Sequence, residues 1–467
     1  MIHLFTITVK TPDGETSKEF SNEILLSDAM EEMGISQNKP CGGNGTCGKC
    51  KVIMDGEEVL SCRTMVNSDA LVYYTTQKEN IQGITEGRVS KFNKEPIISE
   101  GYGLAVDIGT TTIAGYLYKF PECKCIKAAA VPNTQAEFGA DVISRIDYCN
   151  NNGIDKLYKK VNEQIEKLAE DKKINKYVIT GNTTMLHFLT GKNPEGIAVA
   201  PFIPESLFGE WIDNMYLPRC ISAYVGADIT MAVLASGMME KKVSFLVDIG
   251  TNGEMVLWNN NELVCCSTAA GPAFEGAGIS QGMLAVKGAI NRVFIENGTL
   301  KYTTIDNAKA IGICGTGLID AVSCMLKLGI IDESGYIEDS FEIGDSGVFI
   351  TAKDVRQVQL AKSAIRSGID TLVNECKIEY KDIESFYIAG GFGSYINKYN
   401  AAKIGLIPSE VLGRVEAIGN AAGNGAAMLL QSRECIEKSE IIAENAKTVE
   451  LSDSAYFMEK YIDNMMF

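Results

Sequence analysis

Four cysteines near the start of the chain have a spacing that suits a metal site. They follow the pattern C-x5-C-x2-C-x11-C, and four glycines lie among the first three. Four thiolates can hold a [2Fe–2S] cluster, for which C-x4-C-x2-C with a distant fourth cysteine is a known spacing. Glycines let a chain wrap closely around a cluster, because they adopt positive φ angles and allow backbone N–H groups to bond sulfur. The candidate ligands are Cys41, Cys47, Cys50 and Cys62.

Two other interpretations of this loop stay open from the residues alone. The C-x2-C pair is also a zinc spacing, and a glycine-rich turn can bury cysteines without a metal. Three cysteines within ten residues favour the cluster over both. The other ten cysteines are expected to be small core residues, with a second cluster across a dimer interface as the alternative: Cys123, Cys125, Cys149, Cys220, Cys265, Cys266, Cys314, Cys324, Cys376 and Cys435.

A second pattern, Asp-Ile-Gly-Thr, occurs twice, each time at the end of an apolar run. Two copies suggest a duplicated unit. Such a turn offers N–H groups and hydroxyls to phosphate oxygens, and its aspartate can hold Mg²⁺ directly or through water. Two matched turns could therefore hold a polyphosphate from both sides. The candidates are Asp107, Gly109, Thr110, Thr111 and Thr112 in the first copy and Asp248, Gly250, Thr251, Asn252 and Gly253 in the second.

Two later segments have small residues where a ligand could approach the backbone closely. The apolar run 386–389 ends in Gly390, Gly391, Phe392 and Gly393. Gly315 and Thr316 precede a predicted helix, whose N-terminus could bind phosphate or ribose. A tight turn between strand and helix is the alternative interpretation of this second segment.

Further polar residues have weaker signals. Asp228 begins a helix rich in small residues and is either a catalytic carboxylate or a helix-capping acid stabilised by the helix dipole. A similar small-residue helix is predicted at 419–427. Glu254 and Glu275 are further polar candidates near the cleft, with a structural role favoured over a catalytic one, and His187 is expected to be a core histidine. The segments 136–142 and 181–185 look like site loops, but no role follows from their spacing.

The surrounding sequence predicts the elements that position these residues. Residues 1–85 contain short alternating strands, one helix near 24–34 and a hairpin across Asp55-Gly56, which predict a small β-rich domain. Residues 86–100 lack periodicity and are predicted to be a linker. From residue 101, strands ending in glycine turns alternate with helices, which predicts an α/β region. The helices are expected near 155–170, 226–240, 317–328, 354–377 and 420–432.

Composition excludes several classes of function. The chain has 467 residues, 46% of them hydrophobic and 22% charged, and a net charge of −17. This acidity disfavours binding to nucleic acid or to anionic lipid, both of which require a cationic face. No apolar run reaches the length of a membrane span, and the first residues do not have the pattern of a signal peptide. We therefore expect a cytoplasmic protein of two to four structural units.

The motifs resemble two known families. The cysteine loop resembles those of [2Fe–2S] ferredoxins with the β-grasp fold, with one extra residue in the first gap, and its short return to Cys62 is similar to the iron–sulfur subunits of succinate dehydrogenase. The segments from 101 to 435 resemble, in order, the phosphate, connecting and adenosine motifs of the actin/Hsp70/sugar-kinase superfamily. This resemblance implies catalytic roles for Asp107, Asp228 and Asp248, with Asp228 orienting the attacking water.

The resemblance also implies an architecture. The expected fold class is α/β with an N-terminal α+β domain: a β-grasp ferredoxin followed by a two-lobed actin-like (RNase H-like) ATPase. Lobe one would span about 101–235 and 420–467, and lobe two about 236–419.

The combination of the two parts resembles the reductive activators of corrinoid proteins. That resemblance implies ATP-dependent, one-electron reduction of cob(II)alamin to cob(I)alamin, which reactivates a corrinoid-dependent methyltransferase system in anaerobic metabolism. The implied cofactors are a [2Fe–2S] cluster, ATP and Mg²⁺. The implied partners are a corrinoid protein and an upstream reductase or ferredoxin, and the implied assembly is a homodimer. Better-known members have an additional domain where this chain has only residues 86–100.

Three alternative functions come from other classes. An activator of a radical dehydratase or aryl-CoA reductase would use a [4Fe–4S] cluster shared between subunits. A small-molecule kinase could have a redox-sensing ferredoxin domain. An electron-transfer protein with a degenerate ATPase would bind no nucleotide.

Overall fold

The N-terminal domain is a five-stranded mixed sheet with one helix packed on it. The structure, a computed structural model, describes residues 4–11, 14–35, 37, 50–74, 87–393 and 395–467. The strands follow the order β2-β1-β7-β4-β5, and a separate pair joins β3 to β6. The elements are β1 (Phe5–Thr11), β2 (Gly14–Phe20), β3 (Ile24–Leu25), α1 (Leu26–Glu32), β4 (Lys51–Met54), β5 (Glu57–Leu60), β6 (Met65–Val66) and β7 (Ala70–Tyr73).

Every second residue of β1 belongs to the core of this domain. Phe5, Ile7 and Val9 point inward and pack against Leu26 and Met30 of α1, as the period of two in a strand requires. The predicted hairpin between β4 and β5 is present. Its turn, Asp55-Gly56, has φ angles of 52° and 92°, and two positive φ angles match the right-handed twist of the two strands.

Lobe one contains a six-stranded sheet in the order β10-β9-β8-β11-β13-β12. One face of the sheet packs on α2, α3 and α4. The elements are β8 (Gly101–Ile108), β9 (Thr112–Phe120), β10 (Lys124–Pro132), α2 (Val142–Asn152), α3 (Asp155–Leu168), β11 (Ile174–Gly181), α4 (Thr183–Thr190), α5 (Glu195–Ala198), β12 (Glu210–Ile212), β13 (Met215–Leu217) and α6 (Ala227–Ser236).

Lobe two contains a second six-stranded sheet in the order β23-β22-β14-β15-β16-β24, and a smaller sheet in the order β18-β17-β19. The elements are β14 (Ser244–Ile249), β15 (Gly253–Trp258), β16 (Leu263–Thr268), β17 (Ala289–Glu296), β18 (Thr299–Thr304), β19 (Gly312–Ile313), α7 (Gly315–Lys327), β20 (Phe341–Glu342), β21 (Phe349–Ile350), α8 (Ala352–Glu375), β22 (Ser385–Ala389), α9 (Gly390–Gly393), α10 (Lys398–Lys403), β23 (Val415–Gly419), β24 (Ala446–Thr448) and α13 (Ala455–Asp463). Between β23 and β24 the chain forms α11 (Ala421–Gln431), which packs on β8 and β11 of lobe one, and α12 (Arg433–Asn445), which packs on α6.

The two large sheets share one arrangement of strands. In lobe one, β8 pairs antiparallel with β9 and parallel with β11. In lobe two, β14 pairs antiparallel with β15 and parallel with β22. Asp107 and Asp248 therefore occupy equivalent places, each next to the end of the strand that precedes a hairpin turn. This equivalence accounts for the repeated sequence motif.

Helices α6 and α11 pack together between the two sheets. Their apolar residues form a core with side chains from both sheets. Small residues allow the close crossing, because a Cβ atom on Gly425 would lie 2.4 Å from the Met231 carbonyl oxygen. A Cβ atom on Gly423 would lie 2.5 Å from the ring of Tyr116 on β9. The helix pair thus packs closely together and contacts the sheets of both lobes.

Two boundaries differ from those expected. The sequence assigns 420–467 to lobe one, and α11 does pack on the lobe-one strands β8 and β11. The later part differs, because β24 joins the lobe-two sheet beside β16 and α13 packs on α8. The sequence predicts a linker at 86–100, but residues 87–98 bond to β23 and to the ends of α6 and α11. The aperiodic backbone of this segment is satisfied by other elements rather than by water alone.

Candidate active site

A cavity of about 870 Å³ lies between the lobes and is lined by turns from both. Seven acidic side chains line it, but Arg292 is the one basic side chain among its described lining residues. Most of the residues predicted from the sequence meet there. They are Asp107, Gly109, Thr110, Thr111, Thr112, Asp228, Asp248, Gly250, Thr251, Asn252, Gly315, Thr316, Gly390 and Gly391.

The first phosphate-type turn joins β8 to β9, and neighbouring side chains hold its backbone by hydrogen bonds. Its carbonyl groups are bonded, since Asn133 donates to the Gly109 oxygen at 2.9 Å and Arg145 donates to the Thr110 oxygen at 2.6 Å. The Asn182 amide also donates to the Thr110 hydroxyl oxygen at 3.1 Å. Gly109 is required by space, because an added Cβ atom would lie 2.7 Å from the Thr112 oxygen. The turn is therefore preorganised for a ligand.

The second turn, between β14 and β15, is bound to the first through Glu275. The Glu275 carboxylate accepts hydrogen bonds from the Thr251 amide at 3.1 Å and the Thr251 hydroxyl at 2.8 Å. It also accepts one from the Thr111 hydroxyl of the first turn at 3.1 Å. The Glu275 carboxylate thus accepts hydrogen bonds from donors of both turns. The sequence indicated Glu275 as a polar candidate near the cleft but favoured a structural role for it, and nothing in its spacing shows that it bonds both turns.

Arg145 is a functional candidate that the sequence reasoning missed. Its guanidinium is fully buried and donates to backbone oxygens of Gly139 and Thr110. Burial lowers its pKa to about 10, so the group remains cationic at neutral pH. The helical period places residue 145 on the same face as the apolar residues 142 and 149, which is the signal that could have identified a buried arginine.

Three aspartates in the cavity have strongly raised pKa values. Burial raises the pKa of Asp107 to about 7, although a hydrogen bond with Asn420 opposes the shift. Burial and the neighbouring charge of Asp107 raise the pKa of Asp228 to about 7. Burial, with the charges of Asp228 and Glu275, raises the pKa of Asp248 to about 7. Carboxylates that repel one another in this way are stabilised by a shared cation.

Glu254 belongs to the same group of acids. It lies opposite Asp248 in the register of β14 and β15. Burial and the charges of Asp228 and Asp248 hold its pKa well above the usual range. Among the described residues, however, no group of three acidic, cysteine or histidine side chains is arranged to bind a metal by itself. Mg²⁺ in nucleotide sites commonly takes one or two carboxylates and completes its shell with phosphate and water.

The lobe-two wall is formed by the start of α7 and the adenosine-type loop. The Thr316 hydroxyl donates to the Asn291 oxygen on β17 at 3.0 Å, which joins α7 to the small sheet. Gly390 has a φ of 84°, and a Cβ atom there would lie 2.5 Å from the Asp248 carboxylate. Glycine at this position therefore lets the loop pass close to the second phosphate-type turn.

Packing accounts for two of the glycines that the sequence predicted as ligand residues. Gly253 begins β15, where a Cβ atom would meet Ile365 and Thr268, so it packs toward α8. At Gly393 a Cβ atom would lie 2.6 Å from the side chain of Ile388. Neither glycine lines the cavity, and neighbouring side chains explain both without a ligand. The side chain of Phe392, predicted with them, lies outside the described residues.

Two of the four predicted cluster ligands are described, and they lie together. The Sγ atoms of Cys50 and Cys62 are 3.1 Å apart, and both residues are buried. This distance exceeds a disulfide bond of about 2.05 Å. Two thiolates on one tetrahedral metal, each about 2.3 Å from it, lie roughly 3.8 Å apart, so a small side-chain rotation would complete the fit. Cys41 and Cys47 lie outside the described residues.

Packing accounts for His187 and for most of the remaining cysteines. Seven of the ten other cysteines are buried, Cys123 and Cys376 are half-buried, and Cys125 is exposed. His187 is buried, with Nδ1 bonded to the Thr183 oxygen at 2.7 Å and Nε2 accepting from the Ser206 amide at 3.4 Å.

Within the described residues, no helix is long and apolar enough to cross a membrane.

Three family models match successive parts of the chain. Residues 10–72 match the 2Fe-2S iron–sulfur cluster binding domain, 102–241 match the RACo middle region, and 242–467 match the C-terminal domain of RACo, the ASKHA domain. The corrinoid activation enzyme RamQ of Eubacterium limosum is 31% identical over an alignment of 581 residues, which covers 97% of this chain and 98% of the relative. The chain belongs to the reductive activators of corrinoid proteins.

Two further proteins are similar to this activator. A [Co(II) methylated amine-specific corrinoid protein] reductase of Methanosarcina barkeri is 27% identical over 356 residues, which cover 66% of each chain. A solved structure of a reductive activator for corrinoid, iron–sulfur protein is 28% identical, covers 99% of this chain and 98% of its own, and has a TM-score of 0.72. The predicted fold class, a ferredoxin domain followed by an actin-like ATPase, is confirmed.

The matches also bear on the extra domain and on the competing functions. The alignment with RamQ has 581 positions, more than the 467 residues of this activator, so RamQ has segments without a counterpart here. The match at 10–72 and the contact between Cys50 and Cys62 within one chain disfavour a [4Fe–4S] cluster shared between subunits.

Proposed function

We propose that this chain uses ATP to drive the one-electron reduction of a corrinoid protein, from cob(II)alamin to cob(I)alamin, and so reactivates a corrinoid-dependent methyltransferase system. The observation that carries the proposal is the union, in one chain, of a buried cysteine pair in a ferredoxin domain and a two-lobed cavity with matched phosphate-type turns. The names of the related proteins supply the class of acceptor.

The proposed reaction balances as two coupled processes. Cobalt gains one electron and passes from Co(II) to Co(I). In the coupled process, water attacks the γ-phosphorus of ATP, ADP leaves, and a proton is released to solvent. A [2Fe–2S] cluster bound by Cys41, Cys47, Cys50 and Cys62 would carry the single electron. We propose a reductase or a reduced ferredoxin as the upstream donor, and a homodimer as the assembly.

The residues of the cavity have separate roles in this proposal. The two turns would bind phosphate through N–H and hydroxyl donors, with the Arg145 charge behind the first turn. Asp107 and Asp248 would hold Mg²⁺ through oxygen or water, since both carboxylates require a nearby cation to ionise readily at neutral pH. Asp228 would orient the attacking water from the start of α6.

One experiment tests the function directly. The protein, reduced by dithionite in the absence of oxygen, is mixed with MgATP and a purified cob(II)alamin protein, and the cob(I)alamin absorbance is followed. We expect cob(I)alamin to accumulate with MgATP and not with ADP or without nucleotide. Phosphorylation of a small metabolite, without cob(I)alamin, would instead indicate the kinase alternative. Absence of any nucleotide binding by calorimetry would indicate the degenerate-ATPase alternative.

Replacing Glu275 with glutamine should tighten ATP binding. The carboxylate bonds the Thr111 and Thr251 donors that a phosphate would use, and its charge repels phosphate. We expect the Kd for MgATP to fall about tenfold, a change of about 1.4 kcal/mol, in calorimetric titrations.

The matched control for this prediction is Glu275→Asp, which keeps the charge but shortens the reach to Thr111. It should weaken the link between the turns without removing the repulsion, and so change the Kd less. A Kd that rises in Glu275→Gln would mean that Glu275 supports the nucleotide rather than competing with it.

A further inference from the structure

Asn182 lies where strand β11 ends and helix α4 begins, at the wall of the cavity. The preceding residue, the last of β11, pairs with Ile108 at the end of β8, so the fold places Asn182 beside the first phosphate-type turn. Its side chain lines the cavity and is half-buried. It belongs to the segment 181–185, for which the spacing of the sequence indicated no role. The contact with Thr110 of the turn joins residues that are 72 positions apart in the chain.

The orientation of the Asn182 amide is fixed by a backbone group. The Oδ1 atom accepts a hydrogen bond from the Met185 amide at 2.9 Å, which caps the N-terminus of α4. A backbone N–H can only donate, so the side-chain oxygen, and not the nitrogen, must face Met185. The Nδ2 atom is therefore held toward the first turn and cannot exchange places with the oxygen.

This fixed amide determines how the Thr110 hydroxyl can bond. Asn182 Nδ2 lies 3.1 Å from Thr110 Oγ1, and an NH₂ group can only donate. The hydroxyl oxygen must accept this bond, so its own hydrogen is directed away from Asn182. Among the residues that the structure describes, the Thr110 hydroxyl donates no hydrogen bond. Thr110 lines the cavity, from which an acceptor on a ligand can approach that hydrogen.

Two other threonine hydroxyls of the turns differ from that of Thr110. Thr111 and Thr251 donate to the Glu275 carboxylate at 3.1 Å and 2.8 Å. Their hydrogens are already engaged, whereas the hydrogen of Thr110 is left for a ligand. A phosphate oxygen is an acceptor, and Thr110 can bond it without breaking another contact. Of these three hydroxyls, that of Thr110 needs no rearrangement to bind phosphate.

Asp228 lies next to Asn182 at the start of α6. A Cβ atom on Gly226 would lie 2.5 Å from Asn182 Cα and 2.7 Å from Asp228 Oδ1, so glycine permits this close approach. In the proposed function the Asp228 carboxylate would orient the attacking water. Asn182, and with it the Thr110 hydroxyl, is therefore on the side of the cavity where the γ-phosphoryl group would be attacked.

We infer that Asn182 is a positioning residue for ATP hydrolysis, which holds the Thr110 hydroxyl with its hydrogen free to donate to an oxygen of the γ-phosphoryl group. The inference rests on the proposed function, because it concerns how one donor of that site is oriented. A donor that is aimed in advance at the transferred group lowers the barrier more than it tightens substrate binding. Asn182 acts through Thr110, which is the residue that touches the phosphate.

Two substitutions at position 182 separate the orientation of Thr110 from the capping of α4. Aspartate and serine cap a helix about as well as asparagine, so both variants should keep the melting temperature of the full chain. Asn182→Asp replaces the Nδ2 donor with an acceptor, which would take the Thr110 hydrogen. Asn182→Ser is too short to reach Thr110 and leaves its hydroxyl free to rotate. A third variant, Thr110→Val, removes the hydroxyl from a side chain of the same shape.

We expect kcat for MgATP hydrolysis, measured as phosphate release, to fall about 100-fold in Asn182→Asp and in Thr110→Val and about tenfold in Asn182→Ser. The KM of Asn182→Ser should change less than about threefold, because the missing contact acts mainly in the transition state. Cluster content should equal that of the wild type in all variants. If Asn182 only caps α4, Asn182→Asp and Asn182→Ser will keep the full kcat, and this result overturns the inference.

The double variant Asn182→Asp, Thr110→Val separates the role of the hydroxyl from that of the added charge. Without the hydroxyl, Asn182→Asp has nothing left to disturb, so the double variant should be slower than Thr110→Val by less than about threefold. Losses that multiply would mean that residue 182 acts independently of Thr110, and they overturn the inference while MgATP hydrolysis by the wild type leaves the proposed function intact. If the wild type hydrolyses no ATP, the proposed function fails and the inference fails with it.

Discussion

Replacing Asp107 with asparagine should reduce MgATP hydrolysis by about 10²- to 10³-fold, because the variant lacks the carboxylate that we expect to hold the cation beside the phosphates. The same change should stabilise the protein in the absence of Mg²⁺ and nucleotide. Burial raises the pKa of Asp107 to about 7, so ionising this group opposes folding. The melting temperature in EDTA should rise by about 1 °C for each kcal/mol of repulsion relieved, because the entropy of unfolding grows with the number of residues.

The sign of this stability effect depends on pH. Asp107 in the folded chain binds its proton up to about pH 7, whereas an unfolded aspartate releases it near pH 4. Wild-type stability from this group therefore falls as the pH rises from about 4 to about 7 and stays low above that. The advantage of Asp107→Asn should be largest at pH 8 and vanish near pH 4. An unchanged hydrolysis rate, with cob(I)alamin formed at the wild-type rate, would contradict the ATP-driven mechanism.

Replacing Cys62 with alanine should remove the cluster and leave the ATPase intact. The Cys62 thiol lies 3.1 Å from that of Cys50 and is buried, so a substitute ligand could reach its place only after rearrangement. We expect the visible absorbance and the electron paramagnetic resonance signal of the cluster to be lost. Cob(I)alamin formation should fall to background, while MgATP hydrolysis should stay at the wild-type rate because the cavity lies in another domain.

The control for Cys62→Ala is Cys149→Ala, which removes another buried cysteine, on α2. It should retain iron, cluster spectrum and cob(I)alamin formation. A zinc site would predict a different result in the wild type itself, with one zinc atom bound in place of two iron atoms and no visible absorbance. A Cys62→Ala protein with full iron content would exclude this residue as a ligand.

Local patterns were sufficient to predict the elements that surround the site. The helix predicted near 354–377 is observed as α8, Ala352–Glu375, where Thr351 and Asp354 form a capping box. The hairpin across Asp55-Gly56 follows from two residues that adopt positive φ angles. Such signals lie within a few residues of the structure that they specify, so one sequence is enough to detect them.

Long-range pairings were not predictable in this way. β24 joins β16 by pairing Ala446 with Leu263, and the segment 87–98 joins β23 by pairing Gly87 with Gly419. Neither segment has a local pattern that indicates its partner, because edge pairing and backbone bonding do not depend on a particular side chain. A linker and a segment bonded to other elements therefore have the same pattern in the sequence.

The residues of the candidate site likewise include some that local patterns predict and others that only the fold brings together. The two turns were predicted from their composition, since glycine, threonine and aspartate are the residue types that phosphate and cation binding require. The contacts of Glu275 with Thr111 and Thr251 join three separate segments and have no counterpart in local spacing. Arg145 had a usable signal in its helical position, but a buried charge is recognised as functional only when the carbonyl groups that it bonds are known.

Most cysteines outside the cluster loop are buried, and this burial affects how the protein can be loaded with iron. Burial raises the pKa of Cys220 and of Cys265 to about 12 and that of Cys376 to about 11. The raised pKa makes these thiols poorer metal ligands in the folded chain, because metal binds thiolates. In an unfolded chain all of the cysteines would compete. Iron and sulfide should therefore be supplied after the ATPase lobes have folded. Reconstitution from denatured protein should instead bind iron at many thiols besides those of the cluster loop.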